Sequence, residues 1–235
     1  MAITPGAHTI KGDGPNGCTT TGIDTTGATL IVLGVTWYTA FDEPTLSDSF
    51  NNNWTGLTVY DSGTYGKLRL YYVVNPTRGL EHTFTLAGTA TYPSITVHAF
   101  TGTKATSPFD QQNGGANTGT TIQPGSVTPS EDNELVICGV SDGQTSGTYA
   151  IDLGFTITDS LGTSVGSYIG SALAYLIETT AAAKNPTWTR SASNAMASAI
   201  ATFKVAASTS DFFPAWAPAP APRPVERLVW AGIEY

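Results

Sequence analysis

Short apolar runs recur about every 10–15 residues along this chain, each closed by Gly, Thr, Asn or Asp. That rhythm allows strands and tight turns and leaves little room for helices. "ATLIVLGVTWY" (28–38) is apolar on both parities and predicts a strand buried on both faces. "KLRLYYVVN" (67–75) alternates, with Leu68, Leu70, Tyr72 and Val74 on one face. "EHTFTLAG" (81–88) puts His82, Phe84 and Leu86 together. "SITVHAFTG" (94–102) sets Ile95, Val97 and Ala99 against Thr96, His98 and Phe100. Further strands are expected over 56–62, 133–141, 154–160, 169–178 and 195–206, and an edge strand over 120–128, where Pro124 cannot donate to a ladder. The Ala-rich runs at 169–178 and 195–206 read as strands too, because small residues alternate with Tyr, Ile, Phe and Val and no cap precedes them. About twelve strands in two sheets of five or six give an all-β, two-sheet, jelly-roll-like sandwich. No sequence repeat at a fixed period is evident.

Composition agrees. Charged residues make up 12% of the 235 positions, half the usual share of about 25%. The formal charge of −8, with only ten Lys and Arg in all, argues against nucleic acid as a partner. No apolar run approaches the ~20 residues that span a bilayer, and "MAITPGAHTIKGDG" has neither a basic nor an apolar leader segment. No membrane partner is expected, and synthesis and folding are expected in a cytoplasm. Cys18 and Cys138 are too far apart for a zinc or redox motif and read as free thiols.

The composition changes after Val205. Residues 1–206 form the expected sandwich domain, and 207–235 a separate arm. "FFPAWAPAPAPRPVE" is apolar and stiffened by Pro214 and by the four prolines from Pro218 to Pro224, and "RLVWAGIEY" reads as a short terminal strand. Such an arm is semi-rigid, at about 3.1 Å per residue. It either folds back on its own domain or grips a neighbour. The second reading makes Phe212, Phe213, Trp216, Pro218, Pro220, Pro222, Trp230 and Tyr235 the partner-anchoring residues.

Chemistry-bearing patterns are sparse. "GTSVG" (162–166) has nucleophile-elbow spacing, but it joins two strands and no histidine follows Ser164. His8, His82 and His98 lack metal-ligand spacing, although His82 and His98 could meet across strands. Asp42, Glu43 and Asp48 form an acidic cluster of the kind that binds calcium or hydrolyses glycosides, and that any acidic loop also shows. No catalytic residue, metal site or cofactor is expected. Trp54 and Tyr60 are the candidate glycan contacts if they line one exposed face.

The segments "GIDTTGATLIVLGVTWY", "LSDSFNNNWTGL", "KLRLYYVVNPTRGLEHTFTLAGTATYPSITVHAFTG", "IQPGSVTPSEDNELVICGV" and "GSALAYLIETTAAAKNPTWTRSASNAMASAIATFK" resemble a family of β-sandwich domains in bacteriophage structural proteins and some large bacterial surface proteins. The resemblance covers about residues 8–205. It implies a non-enzymatic virion protein, a capsid decoration or head-fibre protein on the virion surface, assembled in the host cytoplasm. Its partners would be other copies of itself, a trimer being the expected order, and a major capsid or tail protein. The alternative is a glycan- or receptor-binding module of a tail fibre or cell surface.

Overall fold

The computed structural model describes residues 2–143 and 146–207. The chain is an all-β sandwich, and no helix occurs among the described residues. Its strands are β1 (Thr4–Gly12), β2 (Gly17–Thr19), β3 (Leu30–Tyr38), β4 (Thr45–Asp48), β5 (Thr55–Asp61), β6 (Gly66–Val74), β7 (Phe84–Ala87), β8 (Ser94–Thr101), β9 (Phe109–Ile122), β10 (Glu134–Asp142), β11 (Tyr149–Ile151), β12 (Thr156–Leu161), β13 (Gly170–Glu178) and β14 (Trp188–Phe203).

Two antiparallel sheets face each other. The first runs β1-β8-β3-β6-β5. The second runs β9-β14-β10-β13-β12, with β11 paired to the start of β14. The first sheet comes wholly from the first half of the chain, and the second from the second half. With the five main strands of each counted in chain order, both sheets read first-fifth-second-fourth-third.

The registers agree as well. Gly34 pairs with Leu70 and Thr96, and Gly139 pairs with Leu173 and Ala199. Val32 pairs with Tyr72 and His98, and Ile137 with Tyr175 and Ala201. Leu30 meets Val74 and Phe100, and Leu135 meets Ile177 and Phe203. Even a bulge recurs: Pro5–His8 opposes Phe100–His98, and Phe109–Gln112 opposes Phe203–Ala201. The fold therefore repeats internally, although the sequence shows no repeat at a fixed period. The sequence keeps one clear trace, "LIVLGV" (30–35) against "LVICGV" (135–140). Elsewhere the counterparts have diverged and their spacing is not constant, so no fixed period survives.

The main core lies between the sheets. Leu30, Val32, Leu68, Leu70 and Phe100 meet Leu135, Ile137, Leu173, Ala199, Ala201 and Phe203. Burial of each large side chain contributes about 1.5–3 kcal/mol. The two glycines sit at its centre. A Cβ on Gly139 would lie 3.3 Å from Leu70 and 3.6 Å from Leu173, and one on Gly34 would lie 3.5 Å from Leu173.

Each sheet is also covered on its outer side, so the central strands are apolar on both parities. A third, three-stranded sheet, β2-β7-β4, lays Cys18, Phe84 and Leu86 over Ile31, Leu33, Val35, Ile95 and Val97. Ile122, Val127, Phe155 and Trp188 cover Val136, Cys138, Val140, Met196 and Ile200.

The seams between the sheets repeat too. β1 meets β12 through His8 Nδ1 and Asp159 Oδ2 at 2.7 Å. β5 meets β9 where Thr58 N donates to Gln112 Oε1 at 3.0 Å, and Gln112 is the counterpart of His8.

Gly139→Val should overfill the point of closest approach between the sheets. The expected loss is about 1–3 kcal/mol, measured by urea unfolding, with no change in the assembly of the native protein.

Candidate functional site: clefts at one pole and on one flank

Like ends of the two halves share a pole. At one pole Thr103 bridges Val205, and Ala206 N donates to Gly102 O at 2.8 Å. Ala2, Ile3, Asn133, Ile177 and Ala207 border a shallow hollow there, so the described chain both begins and ends at that pole. β3 runs from it to Tyr38 at the other, about 30 Å away at roughly 3.3 Å per residue.

The far pole carries an aromatic cleft of about 320 Å³. Tyr38, Phe41, Tyr65 and Tyr92 line it on the first-half side, and Tyr168 with the 163–166 loop on the other. The ring centroids of Tyr38 lie 5.7 Å from Phe41, 6.4 Å from Tyr65 and 6.1 Å from Tyr92. The turns before β6 and β13 are counterparts, and each supplies a tyrosine. Val165, 80% exposed, forms the lip. Tyr92 is held in the left-handed region, at φ 51°, which a bulky side chain adopts only under constraint. The constraint is visible: its N donates to Pro15 O at 3.0 Å, and Ile169 N donates to its carbonyl at 2.9 Å.

A buried ion pair anchors the cleft wall. Arg190 Nε lies 2.7 Å from Asp142 Oδ2, both side chains sealed from solvent. Thr163 donates to the Asp142 carbonyl at 2.8 Å and to its carboxylate, and accepts from Gly170 N at 2.9 Å. Tyr149 donates to the same carboxylate. Burial pushes the Asp142 pKa up, against the lowering effects of Thr163, Tyr149 and Arg190. This cluster fixes the loop from beneath, and the lining presents rings and hydroxyls. Such a surface is suited to stacking and hydrogen-bond donation.

A second cleft lies on the flank, lined by Glu43, Thr45, Leu46, Asn52, Asn53, Trp54 and Tyr71. Trp54 is half-buried, and its Nε1 donates to Asp48 Oδ2 at 2.8 Å. Asp48 also accepts from Phe50 N, from Asn52 N and Nδ2, and from His82 Nε2 at 2.9 Å. Burial opposes its charge, yet the bonds from His82, Trp54, Phe50 and Asn52 prevail and hold its pKa low. Burial lowers the His82 pKa, against the raising pull of Asp48. Nδ1 of that ring meets Thr25 Oγ1 at 3.0 Å. Thr25, His82 and Asp48 thus line up as a nucleophile–imidazole–carboxylate chain. His82 is 0% and Thr25 1% exposed, and Thr25 Oγ1 is already bonded to Gly79 N and O, so the chain acts as an internal staple.

The structure separates several residues that the sequence grouped. Trp54 packs on the outer side of the first sheet and Tyr60 toward the inter-sheet core, so they do not share a face. A bulge between Gly56 and Val59 shifts the register of β5 between them. His82 lies in the outer layer and His98 faces the inner core against Phe100 and Tyr175, so these two do not meet. Glu43 is taken by Arg69 at 2.8 Å and by Tyr71, whereas Asp48 is sealed. No cluster of three or more metal-ligating side chains occurs among the described residues. Ser164 lies in a turn closed by Ser164 N to Tyr168 O at 3.2 Å. Cys18 and Cys138 are buried free thiols, pushed up to about 12 chiefly by burial. Phe212, Phe213, Trp216, Pro218, Pro220, Pro222, Trp230 and Tyr235 lie outside the described residues. Sequence reasoning missed the cleft at the far pole because its rings come from four separate connections; only their aromatic type was visible.

No family profile, curated protein or solved structure matches the chain.

Burial, then the neighbouring His8, depresses His98 to about 3. An unfolded histidine takes its proton near 6.5. The folded chain therefore loses stability as pH falls from 6.5 toward 3, on the order of a few kcal/mol, and His82 adds in the same direction. Thermal melts from pH 7 to pH 4 should show this decline, and His98→Leu should flatten it.

Proposed function

We propose that this chain is a non-enzymatic structural protein of a bacteriophage virion, a capsid decoration or head-fibre protein anchored to neighbouring subunits through its terminal segments. One observation carries the reading. The three apolar clusters are built from residues 3 to 205 and cover both faces of both sheets. The stretch 207–235 is apolar and proline-rich in sequence, and on this reading it is the part offered to a partner. The aromatics it carries would gain roughly 25 cal/mol per Å² on entering a neighbour's groove. A trimer and a capsid or tail protein as second partner are part of the same proposal, as is a place on the virion surface.

A chain ending at Ala207 should melt within a few degrees of the full protein and should no longer join its particle in a reconstitution assay. Full incorporation of the shortened chain would refute the anchoring role.

The flank cleft favours a second reading, a glycan- or receptor-binding module. Trp54 and Tyr71 stand beside the amides of Asn52 and Asn53 and the carboxylate of Glu43, a mixture of rings and polar groups suited to a sugar. On this reading a glycan array gives reproducible hits that Asn53→Ala weakens at least tenfold. Blank arrays would remove it.

A further inference from the structure

We propose that the aromatic cleft at the far pole receives the proline-rich segment, residues 212–224, of a second copy of this chain. The proposal rests on the anchoring reading above and adds the receptor surface.

The chemistry is complementary. Tyr38, Phe41, Tyr65, Tyr92 and Tyr168 offer an uncharged aromatic floor. No hydrogen bond within the described residues occupies the hydroxyls of the four tyrosines, which leaves those donors available to a ligand. A proline-rich segment presents flat pyrrolidine rings and backbone carbonyls, and its prolines have no amide donors. Aromatic-lined grooves recognise such segments by stacking on the rings and donating to the carbonyls, at low entropic cost because the ligand is already stiff. "FFPAWAPAPAPRP" (212–224) adds Phe212, Phe213 and Trp216 as anchors. At about 320 Å³ the cleft sits at the low end of small-ligand pockets. It takes one anchor with its neighbouring prolines, not the whole arm.

Placement selects a second copy. Ala207 borders the hollow at the opposite pole, roughly 30 Å from the cleft. Phe212, Phe213 and Pro214 follow Ala207 by seven residues at most, a reach of about 25 Å fully extended. These first anchors fall short of their own cleft, and Pro218–Pro224 could span the distance only by running the height of their own sandwich. A copy stacked end to end brings its cleft next to the pole where the arm leaves, within reach of every anchor from Phe212 on. The contact is heterologous, arm to cleft. Such contacts close into a ring or extend into a fibre according to the rotation between copies. The strained Tyr92, held by the first half at Pro15 and the second half at Ile169, keeps the cleft formed before the partner arrives.

Complementary lesions test this. One protein is the chain ending at Ala207, which keeps the cleft and every described strand. The other is the full chain carrying Tyr65→Ala and Val165→Arg, which keeps the arm and spoils the cleft. Each alone should sediment as a monomer, the unaltered full chain as an oligomer, and an equimolar mixture of the two lesioned forms as a one-to-one complex; an unaltered chain that stays monomeric would place the arm in its own cleft and overturn the second copy. A peptide of residues 211–224 should bind the Ala207 chain at least tenfold more tightly than the same chain with the cleft lesions. Val165→Arg alone, at an exposed position, guards against misfolding of the double variant and should weaken the peptide in the same direction. A mixture that stays monomeric, or a peptide that binds both forms equally, overturns the assignment. If deleting the arm abolishes assembly while the cleft lesions leave it intact, anchoring stands and the cleft is the wrong receptor. If deleting the arm leaves assembly intact, the anchoring reading itself fails.

Discussion

The close approach of the two sheets at Gly34 and Gly139 sets the rest of the structure. Neither glycine has a side chain to hold the sheets apart, so Leu173 fills the space above Gly34, and Leu70, with Leu68, the space above Gly139. Gly34 is the counterpart of Gly139 and Leu70 of Leu173, so a single contact occurs twice, once from each side. Toward the pole where the described chain begins and ends, the gap is filled by larger groups, Phe100, Phe203, Tyr72 and Tyr175. Toward the other pole the sheets stay close, and Ser94 Oγ donates to Ser171 Oγ at 2.9 Å. A core that widens toward one pole demands matched partners, and a repeated sheet supplies them without separate fitting.

Duplication also decides where function can sit. Because like ends of the halves share a pole, the bridge that closes the core, Thr103 with Val205, lies beside the start and end of the described chain. The connections before β6 and β13 then converge at the other pole and enclose the aromatic cleft. Neither half builds that cleft alone. The halves have diverged most in their polar staples. Asp48 with His82 secures the first half's outer layer, and Asp142 with Arg190 secures the second half's cleft wall. Both pairs are sealed, and the charged one, Asp142 with Arg190, holds a shape more than it adds stability.

Much of the sandwich was legible because burial on a face writes itself into the sequence. The alternation at 67–75 put Leu68, Leu70, Tyr72 and Val74 together, and all four meet the inner core. His82, Phe84 and Leu86 share their buried side, and the doubly apolar run at 28–38 is covered on both faces. The edge strands β5 and β12 were legible at 56–62 and 154–160, whereas the edges β1 and most of β9 and the very short strands were not. β9 is "FDQQNGGANTGTTI", held to β14 by backbone pairing with few apolar side chains, and β1 is half polar. Pro124 did mark an edge, although the strand stops at Ile122. β2, β4 and β11 are three or four residues long, too short to show a period. Trp54 and Tyr60 were grouped by aromatic type alone, and they pack on different sides of the first sheet with a bulge between them. The repeat escaped because topology and register outlast side-chain identity: Thr96 answers to Ala199 and His98 to Ala201.

The central claim is that two equivalent sheets share one core and stand or fall together. Native-state hydrogen exchange on the chain carrying Leu173→Ala tests it most directly, because that residue belongs to the second sheet and fills the space over the first. The account predicts that the slowest amides of β3 and β10 lose protection by the same amount, about 2–5 kcal/mol for a buried leucine truncated to alanine. Loss confined to β10 and its neighbours, with β3 still at its original protection, would show two independent halves and contradict it.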